Sequence, residues 1–217
     1  MNAKNPSGKK AHNAAVILKC LEAAIPEPEV ALTHKNPFQL LIATILSAQC
    51  TDVRVNQVTP KLFETFPGPE DMIKGEPDVL ISLIRTTGFF NNKAKNIIAC
   101  SLKLVTDFDG KVPQTLAELI TLAGVGRKTA NVVLGEAFGQ QTIVVDTHVR
   151  RVSNRLGLSQ SNDPVQIEKD LQKRLPQNKW TASAHRLLLH GRHVCKSRKP
   201  LCDKCVVVDL CPWVTKN

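Results

Sequence analysis

The sequence predicts an all-α protein, and three observations support this. Apolar residues recur at helical spacing in segment after segment, as at Ile98, Leu102 and Val105. No segment alternates for long between apolar and polar residues, as a half-buried strand would. Proline and glycine residues separate the periodic segments and keep each helix short. A chain of 217 residues is long enough for one or two domains built from such helices.

The first helices follow a short basic start. Residues 1–10 are polar and basic, and a helix is predicted from Ala11 until the chain reaches Pro26. Residues 37–50 begin with a proline, which suits the first position of a helix. This segment is apolar on nearly every side, which is typical of a central helix that other helices surround.

The remaining helices follow the same pattern of caps and apolar repeats. Asp52 can cap a helix over 53–66, and Pro60 within it predicts a kink or a break. Further helices are predicted at 77–86, 91–107, 115–122, 127–138, 147–157, 164–175 and 181–193.

The composition excludes several classes of protein. Apolar residues make up 42% of the chain and charged residues 22%, as in ordinary globular proteins, so the chain is neither disordered nor fibrous. The longest nearly apolar stretch, 40–48, is too short to span a membrane, and the first fifteen residues lack a signal-peptide core. We expect a soluble protein that stays in the compartment where it is made.

The charge of the chain favours a polyanionic partner. Lys and Arg number 29 against 19 Asp and Glu, for a net charge of +10. Residues 30–140 carry 11 basic and 10 acidic side chains, whereas the two flanking segments together carry 18 and 9. The flanking segments therefore hold most of the positive charge. Taken by itself, the charge is explained equally well by a basic surface that is exposed to solvent and binds no ligand.

Four cysteines near the C terminus have the clustering of metal ligands. Cys195, Cys202, Cys205 and Cys211 follow the spacing C-x6-C-x2-C-x5-C. Zinc sites more often pair two C-x2-C knuckles, whereas this set has one and is followed by Pro212, as in ferredoxin-type sequences. The spacing favours an iron–sulfur cluster over zinc, and over disulfides because no secretory context exists. The other cysteines lie on apolar helical segments and are expected to be small buried residues: Cys20, Cys50 and Cys100.

Basic residues fill the loop between the first two of these cysteines. Lys196, Arg198 and Lys199 lie inside it, and Lys204 follows. We interpret it as a phosphate-binding loop whose shape the metal centre fixes. The alternative is that these cations only balance the anionic thiolates.

A glycine turn joins two of the predicted helices, within residues 115–138. Gly124 and Gly126 let the chain turn tightly and expose backbone N–H groups where the second helix begins, which can bind a phosphate. Arg127 and Lys128 follow directly. Alone, the turn is a weak signal, because an ordinary connection between packed helices looks the same.

Three motifs in this order resemble one known family. The chain contains LAGVGRKTANVVL, then IVVDTHV, then the four cysteines. It resembles the helix-hairpin-helix DNA glycosylases, and within them the endonuclease III family, over nearly its whole length. The resemblance implies a catalytic lysine at Lys128, a catalytic aspartate at Asp146 and a [4Fe-4S] cluster on the four cysteines.

The resemblance also implies the domain organisation. The family fold has two all-α lobes with a cleft between them. One lobe is a six-helix barrel that carries the helix-hairpin-helix, here about residues 30–140. The other, here residues 1–29 and 141–217, joins the N-terminal helix to the cluster loop at 195–211. This division coincides with the uneven distribution of charge.

The implied reaction is base-excision repair of oxidised pyrimidines in double-stranded DNA. The damaged nucleotide must leave the helix to be reached. A neutral amine at Lys128 can then attack the sugar C1′, displace the base and leave a Schiff base, from which β-elimination nicks the strand. The alternative for Lys128 is a plain phosphate contact on a DNA-binding hairpin.

Asp146 has two compatible interpretations. It precedes the helix predicted at 147–157, where aspartate is a good N-cap. A carboxylate near Lys128 and the sugar can also accept the lysine proton or stabilise positive charge as the base departs.

Two residues are expected to enter the DNA stack, by resemblance. These are Gln49 in LSAQCTD and Phe89 in TTGFFNNK, where many relatives have an aliphatic residue. An apolar or aromatic wedge can stack on exposed bases. Both residues are also compatible with a place in the core.

Two other functions compete with this hypothesis. An adenine-mismatch glycosylase shares the hairpin, aspartate and cluster, but Lys128 argues against it, as does the lack of a glutamate in helix 38–50 and of sequence after the cluster for a further domain. A catalytically silent DNA-binding module with a structural metal is the second. We expect a monomer without membrane attachment, cytoplasmic and associated with the nucleoid if the source is bacterial.

Overall fold

The computed structural model describes residues 7–28 and 31–214, with the backbone alone for residues 7–13. All regular secondary structure in these residues is helical, which confirms the predicted fold class. None of the described helices is long and apolar enough to cross a membrane. The α-helices are α1 (Ser7–Ala24), α2 (Pro37–Leu46), α3 (Asp52–Thr65), α4 (Pro69–Lys74), α5 (Pro77–Ile84), α6 (Phe90–Phe108), α7 (Leu116–Leu119), α8 (Arg127–Phe138), α9 (Thr147–Arg155), α10 (Pro164–Arg174) and α11 (Trp180–His193).

The chain divides into two compact units. The central unit comprises residues 30–140, with α2 to α8. The terminal unit comprises residues 1–29 and 141–217, with α1 and α9 to α11. Each unit has its own apolar core.

The core of the central unit is built around α2. Asn36 caps this helix by accepting the backbone N–H of Gln39 at 2.9 Å, and Pro37 occupies its first turn. Every residue from Leu40 to Leu46 is buried, and the helix packs against α3, α6 and α8. The apolar segment is therefore the surrounded helix that the sequence predicts.

Two helices of this unit differ from the sequence prediction. Helix α3 continues through Pro60, so of the predicted kink or break the break is absent. Because Pro60 is exposed, solvent can satisfy the carbonyl freed by its missing N–H. Helix α4 was not predicted, because six residues are too few to show helical periodicity. Gly68 and Pro69 begin it, and Met72 buries its apolar face.

Helix α7 is a single turn, much shorter than the predicted 115–122. Thr115 caps it by accepting the N–H of Glu118 at 3.2 Å and donating to the Glu118 carboxylate at 2.6 Å. The chain leaves the helix at Ile120, half of whose side chain is exposed. Helix α8 occupies 127–138, as predicted.

The terminal unit joins the two ends of the sequence through a shared core. Ile17 and Leu21 of α1 are fully buried in the same cluster as Val149 and Leu187. Arg186 of α11 fixes the chain after α1, since its guanidinium donates to the carbonyls of Ile25 at 2.9 Å and of Pro26 at 2.7 Å.

Helices α9 and α11 approach each other closely at one glycine. A Cβ at Gly191 would lie 2.9 Å from the Cβ of His148 and 3.0 Å from a methyl group of Val152. Only glycine fits this contact without moving α9.

The three cysteines outside the C-terminal group differ in burial. Cys100 is fully buried, and its burial raises the pKa of the thiol to about 12. Cys20 and Cys50 are only half-buried. The expected burial is therefore complete for one of the three.

Candidate active site and metal centre

The glycine turn before α8 uses its two glycines differently. Gly124 has φ +76°, and a Cβ there would lie 3.0 Å from the Cβ of Asn96. Gly126 has an extended backbone, φ −91° and ψ 175°, and nothing lies within 4 Å of the place a Cβ would take. The backbone therefore requires a glycine at 124, whereas Gly126 leaves open space in front of α8.

Arg127 and Lys128 form the exposed first turn of α8. Gly126 is the N-cap and provides no side-chain acceptor, and the turn contains no acidic residue. The positive end of the helix and the two cations therefore point to an anion in the space beside Gly126.

Asp146 begins α9 in the terminal unit. Its side chain is half-buried, and Oδ1 accepts the backbone N–H of Val149 at 2.7 Å. The three residues before it, 143–145, are buried in the core of this unit. The N-cap predicted for Asp146 is confirmed, and the cap fixes the carboxylate at the start of a helix.

Gln49 and Phe89 lie on the surface of the central unit with strained backbones. Their φ angles are +53° and +49°, in the left-handed region that costs about 1–2 kcal/mol for a residue with a Cβ. Gln49 is exposed and Phe89 is 64% exposed, so neither belongs to the core. Strain and exposure of this kind are typical of functional positions.

The four C-terminal cysteines line one cavity. None of the four forms a disulfide, and the cavity that they line has a volume of about 20 Å³. Short turns bring the cysteines back to it: the N–H of Cys205 donates to the carbonyl of Cys202 at 3.0 Å, and the N–H of Cys211 donates to that of Val208 at 3.0 Å. The rest of the wall is mostly apolar: Leu156, His190, Val194, Pro200, Leu201, Val208, Trp213 and Val214.

The donor set of this cavity fits an iron–sulfur cluster. Burial raises the pKa of the Cys205 thiol, a backbone hydrogen bond with Val207 lowers it, and the charges of the other three cysteines raise it again. Four thiolates around an apolar cavity suit an iron–sulfur cluster, whose several irons hold the sulfurs apart.

Two arginines of α9, missed by the sequence analysis, hold the cluster loop. Arg151 donates to the carbonyl of Cys195 at 3.0 Å and to that of Gly191 at 2.8 Å. Arg155 donates to the carbonyls of Lys196 at 2.8 Å and of Ser197 at 3.1 Å. They are four residues apart and therefore share one face of α9, and this spacing was the feature of the sequence that could have identified them as a pair.

The basic side chains of this loop are directed to solvent. Lys196, Arg198 and Lys199 are all exposed, and Lys199 has φ +51°. Arg155 also contacts Cys195 Sγ at 3.4 Å, so the same side chain touches one of the four cysteines and the backbone of the basic loop.

Comparisons of the sequence with known proteins agree with one another. Residues 42–177 match the family described as HhH-GPD superfamily base excision DNA repair protein, and residues 195–211 match the iron-sulfur binding domain of endonuclease III. Endonuclease III of Synechocystis sp. is 50% identical over 204 residues, which cover 94% of this chain and 93% of that protein. Endonuclease III of Escherichia coli K12 is 44% identical over 200 residues, which cover 92% and 95%.

Solved structures are similar over the same length. A trapped covalent intermediate between endonuclease III and DNA matches with a TM-score of 0.91 and 42% identity, covering 95% of this chain and 97% of that one. A thermostable thymine-DNA glycosylase matches with a TM-score of 0.84 and 25% identity, covering 98% and 100%.

Proposed function

Because this chain belongs to the endonuclease III family of the HhH-GPD superfamily of base excision DNA repair proteins, we propose that it excises oxidised pyrimidines from double-stranded DNA and cleaves the resulting abasic site. It is a DNA glycosylase and abasic-site lyase. Its relatives are named endonuclease III, which favours this function over adenine-mismatch excision and over a silent DNA-binding module.

The placement of Lys128 supports a covalent reaction most directly. This lysine lies exposed in the first turn of α8, beside the open space at Gly126. A relative with 42% identity was captured as a covalent intermediate with DNA. A lysine amine is the group in this hairpin that can form such a bond with a sugar.

Excision and strand cleavage by Lys128 need no external oxidant or reductant. The neutral amine attacks C1′, the bond from C1′ to the base breaks, and the base leaves with a proton. The sugar ring then opens as O4′ takes up a proton from solvent, which gives an iminium between Lys128 and C1′. Loss of a proton from C2′ then expels the 3′-phosphate, and water hydrolyses the imine and releases the lysine.

Asp146 is the carboxylate proposed for the excision step. Positive charge develops on the sugar as the base departs, and a fixed carboxylate stabilises it without reorganisation. The bond to the Val149 N–H keeps Asp146 in place for that role.

The remaining proposed contacts bind the duplex. Backbone N–H groups near Gly124 and Gly126, together with Arg127, bind a phosphate at the start of α8. The basic loop with Lys196, Arg198 and Lys199 binds another part of the backbone. Gln49 and Phe89 enter the space that the extruded nucleotide leaves.

The protein carries a [4Fe-4S] cluster in its C-terminal segment. Cys195, Cys202, Cys205 and Cys211 are the residues that hold it. When bound, the cluster supplies four iron–thiolate bonds that tie residues 195–211 together. Arg151 and Arg155 also hold the backbone of the basic loop in place, because they donate hydrogen bonds to its carbonyl groups.

We propose that the protein acts as a monomer in the cytoplasm, where DNA is accessible in a bacterial cell. The bacterial source of the relatives supports this location.

Borohydride trapping tests the proposed function. The purified protein is incubated with duplex DNA that contains an abasic site or an oxidised pyrimidine, and the imine is reduced to a stable amine. We expect a covalent adduct with the wild type and with Lys111→Ala, an exposed lysine outside the hairpin, and none with Lys128→Ala. An equal adduct with Lys128→Ala would overturn the role of this lysine, and no adduct with the wild type would overturn the lyase activity.

A further inference from the structure

One lysine of the central unit is buried and has no place in the reaction described above. Lys93 lies in the first turn of α6, and only 5% of its surface is exposed. Its ammonium donates to the carbonyl of Leu46 at 2.7 Å and to the carbonyl of Thr87 at 2.8 Å. Buried lysines are rare unless paired, and both of these partners are backbone atoms from separate segments.

These two carbonyls lie just before the two strained surface residues. Leu46 ends α2 and precedes Gln49 by three residues. Thr87 ends a short 3₁₀ turn, Arg85–Thr87, and precedes Phe89 by two residues. One ammonium thus bonds both segments immediately before the point where each adopts a left-handed backbone.

These two hydrogen bonds cross-link the segments that end at Leu46 and Thr87. The surroundings of Lys93 favour such a linking role over simple burial of its aliphatic side chain. The carbonyls at the end of α2 form the negative end of that helix, where a cation is stabilised. Burial lowers the pKa of Lys93, and the neighbouring Cys50 partly offsets this. A charged group kept in a costly place, with both acceptors in functional segments, indicates a role beyond packing.

We propose that Lys93 is a positioning residue for base extrusion, which fixes the spacing between the segments that carry Gln49 and Phe89. The proposal rests on the proposed function, because it assumes that these two side chains enter the DNA stack. Without the cross-link, nothing fixes the distance between the two segments or supports their strained backbones. The side chains of Gln49 and Phe89 then no longer enter the DNA stack at the correct spacing.

The first test compares Lys93→Met with Lys95→Met, an exposed lysine on the same helix. Duplex DNA carries 2-aminopurine opposite a tetrahydrofuran abasic analogue, so its fluorescence reports unstacking by the inserted residues. We expect Lys93→Met to lower this response and the kcat for excision from duplex DNA each by about tenfold. Borohydride trapping on a single-stranded abasic site, which needs no insertion, should stay within about twofold of the wild type.

A double-mutant cycle with Phe89→Ala separates positioning from general loss of structure. If Lys93 acts through the inserted residues, adding Lys93→Met to Phe89→Ala changes the fluorescence response little. Additive effects, or an equal loss of trapping on single-stranded DNA, would overturn the proposal. So would an unchanged response in Lys93→Met.

Two controls keep the result interpretable. If Lys93→Met fails to fold, as judged by its thermal unfolding midpoint, Lys93→Gln replaces it: the amide keeps N–H donors in the buried site, but its side chain is shorter and cannot bond both carbonyls, so the same losses are expected. Failure of the proposed function itself would be recognised separately, since the wild type would then give no borohydride adduct on any abasic DNA.

Discussion

The carboxylate of Asp146 accepts the backbone N–H of Val149 at 2.7 Å, so the residue proposed to act on the sugar also begins helix α9. The Asp146 side chain therefore has a structural role as an N-cap and a proposed chemical role in excision. The two duties make different demands, because an N-cap needs only a hydrogen-bond acceptor, whereas excision needs a negative charge.

Substitutions at Asp146 should separate these duties. Asp146→Asn keeps an acceptor for the Val149 N–H, so we expect its thermal unfolding midpoint to stay within about 1 °C of the wild type. Asp146→Ala removes the cap, costs about 1 kcal/mol and lowers the midpoint by about 2–4 °C. Both should reduce excision by at least about 100-fold. Full activity in Asp146→Asn would show that the charge is not needed.

The two glycines of the hairpin should respond differently to alanine. Gly124→Ala places a Cβ 3.0 Å from Asn96 at φ +76°, and we expect it to cost about 2 kcal/mol and to lower the unfolding midpoint by about 4–8 °C. Gly126→Ala meets nothing within 4 Å, so its stability cost should stay below about 1 kcal/mol. Its methyl group instead obstructs the phosphate, and DNA affinity falls. The prediction is wrong if both variants lose the same stability.

The site residues that the sequence predicted are those whose chemistry is set by neighbours in the chain. The cysteine spacing predicts the cluster because short turns return Cys205 and Cys211 to one cavity. The cap at Asp146 is likewise a local property of the residues around it.

What the sequence did not predict depends on contacts between distant segments. Lys93 lies in NNKAKN and looks like a solvated lysine, because its acceptor at Leu46 is 47 residues away. Arg155 bonds carbonyls more than 40 residues further on. The backbone strain at Phe89 follows no residue preference, since phenylalanine disfavours positive φ.

Salt dependence should report the phosphate contacts of the basic loop. If about five phosphates are neutralised, raising salt from ~50 to ~200 mM weakens DNA binding by roughly 500-fold. Replacing Lys196, Arg198 and Lys199 together with alanine should lower the slope of log K against log salt by about 2.7, at about 0.9 for each contact. Lys74→Ala on α4 is the control and should leave the slope unchanged. A flat salt response in the wild type would contradict a phosphate-based interface.

Loss of one cluster ligand should cost DNA affinity as well as iron. Cys202→Ala removes a thiolate from the cavity, so we expect little bound iron, loss of the yellow-brown colour and faster hydrogen exchange across 195–211. DNA binding should weaken as well, because the conformation of the basic loop depends on the bonds between the cluster and the cysteines. Cys20→Ala, outside the cavity, is the matched control and should keep its iron. A colourless wild type with stoichiometric zinc would contradict the iron–sulfur assignment.

Arg155 should control the shape of the basic loop independently of its charge. Its guanidinium donates to the carbonyls of Lys196 and Ser197 and lies 4.3 Å above the ring of Trp213. A lysine keeps the positive charge but cannot make the planar, forked pair of bonds or stack as well on the indole. Arg155→Lys should therefore lower DNA affinity by about tenfold, which corresponds to about 1.4 kcal/mol, and speed hydrogen exchange at 197–199.

The salt slope distinguishes this effect from a lost phosphate contact. Arg155→Lys leaves the number of cations unchanged, so we expect reduced affinity at every salt concentration with the wild-type slope. Arg150→Lys, on an exposed side chain of the same helix, is the matched control and should leave both the affinity and the exchange rate unchanged. A reduced slope in Arg155→Lys would instead mean that Arg155 binds a phosphate itself. Unchanged exchange at 197–199 would mean that the loop keeps its shape without the two carbonyl bonds, and that order in this loop comes from the cysteine ligands alone.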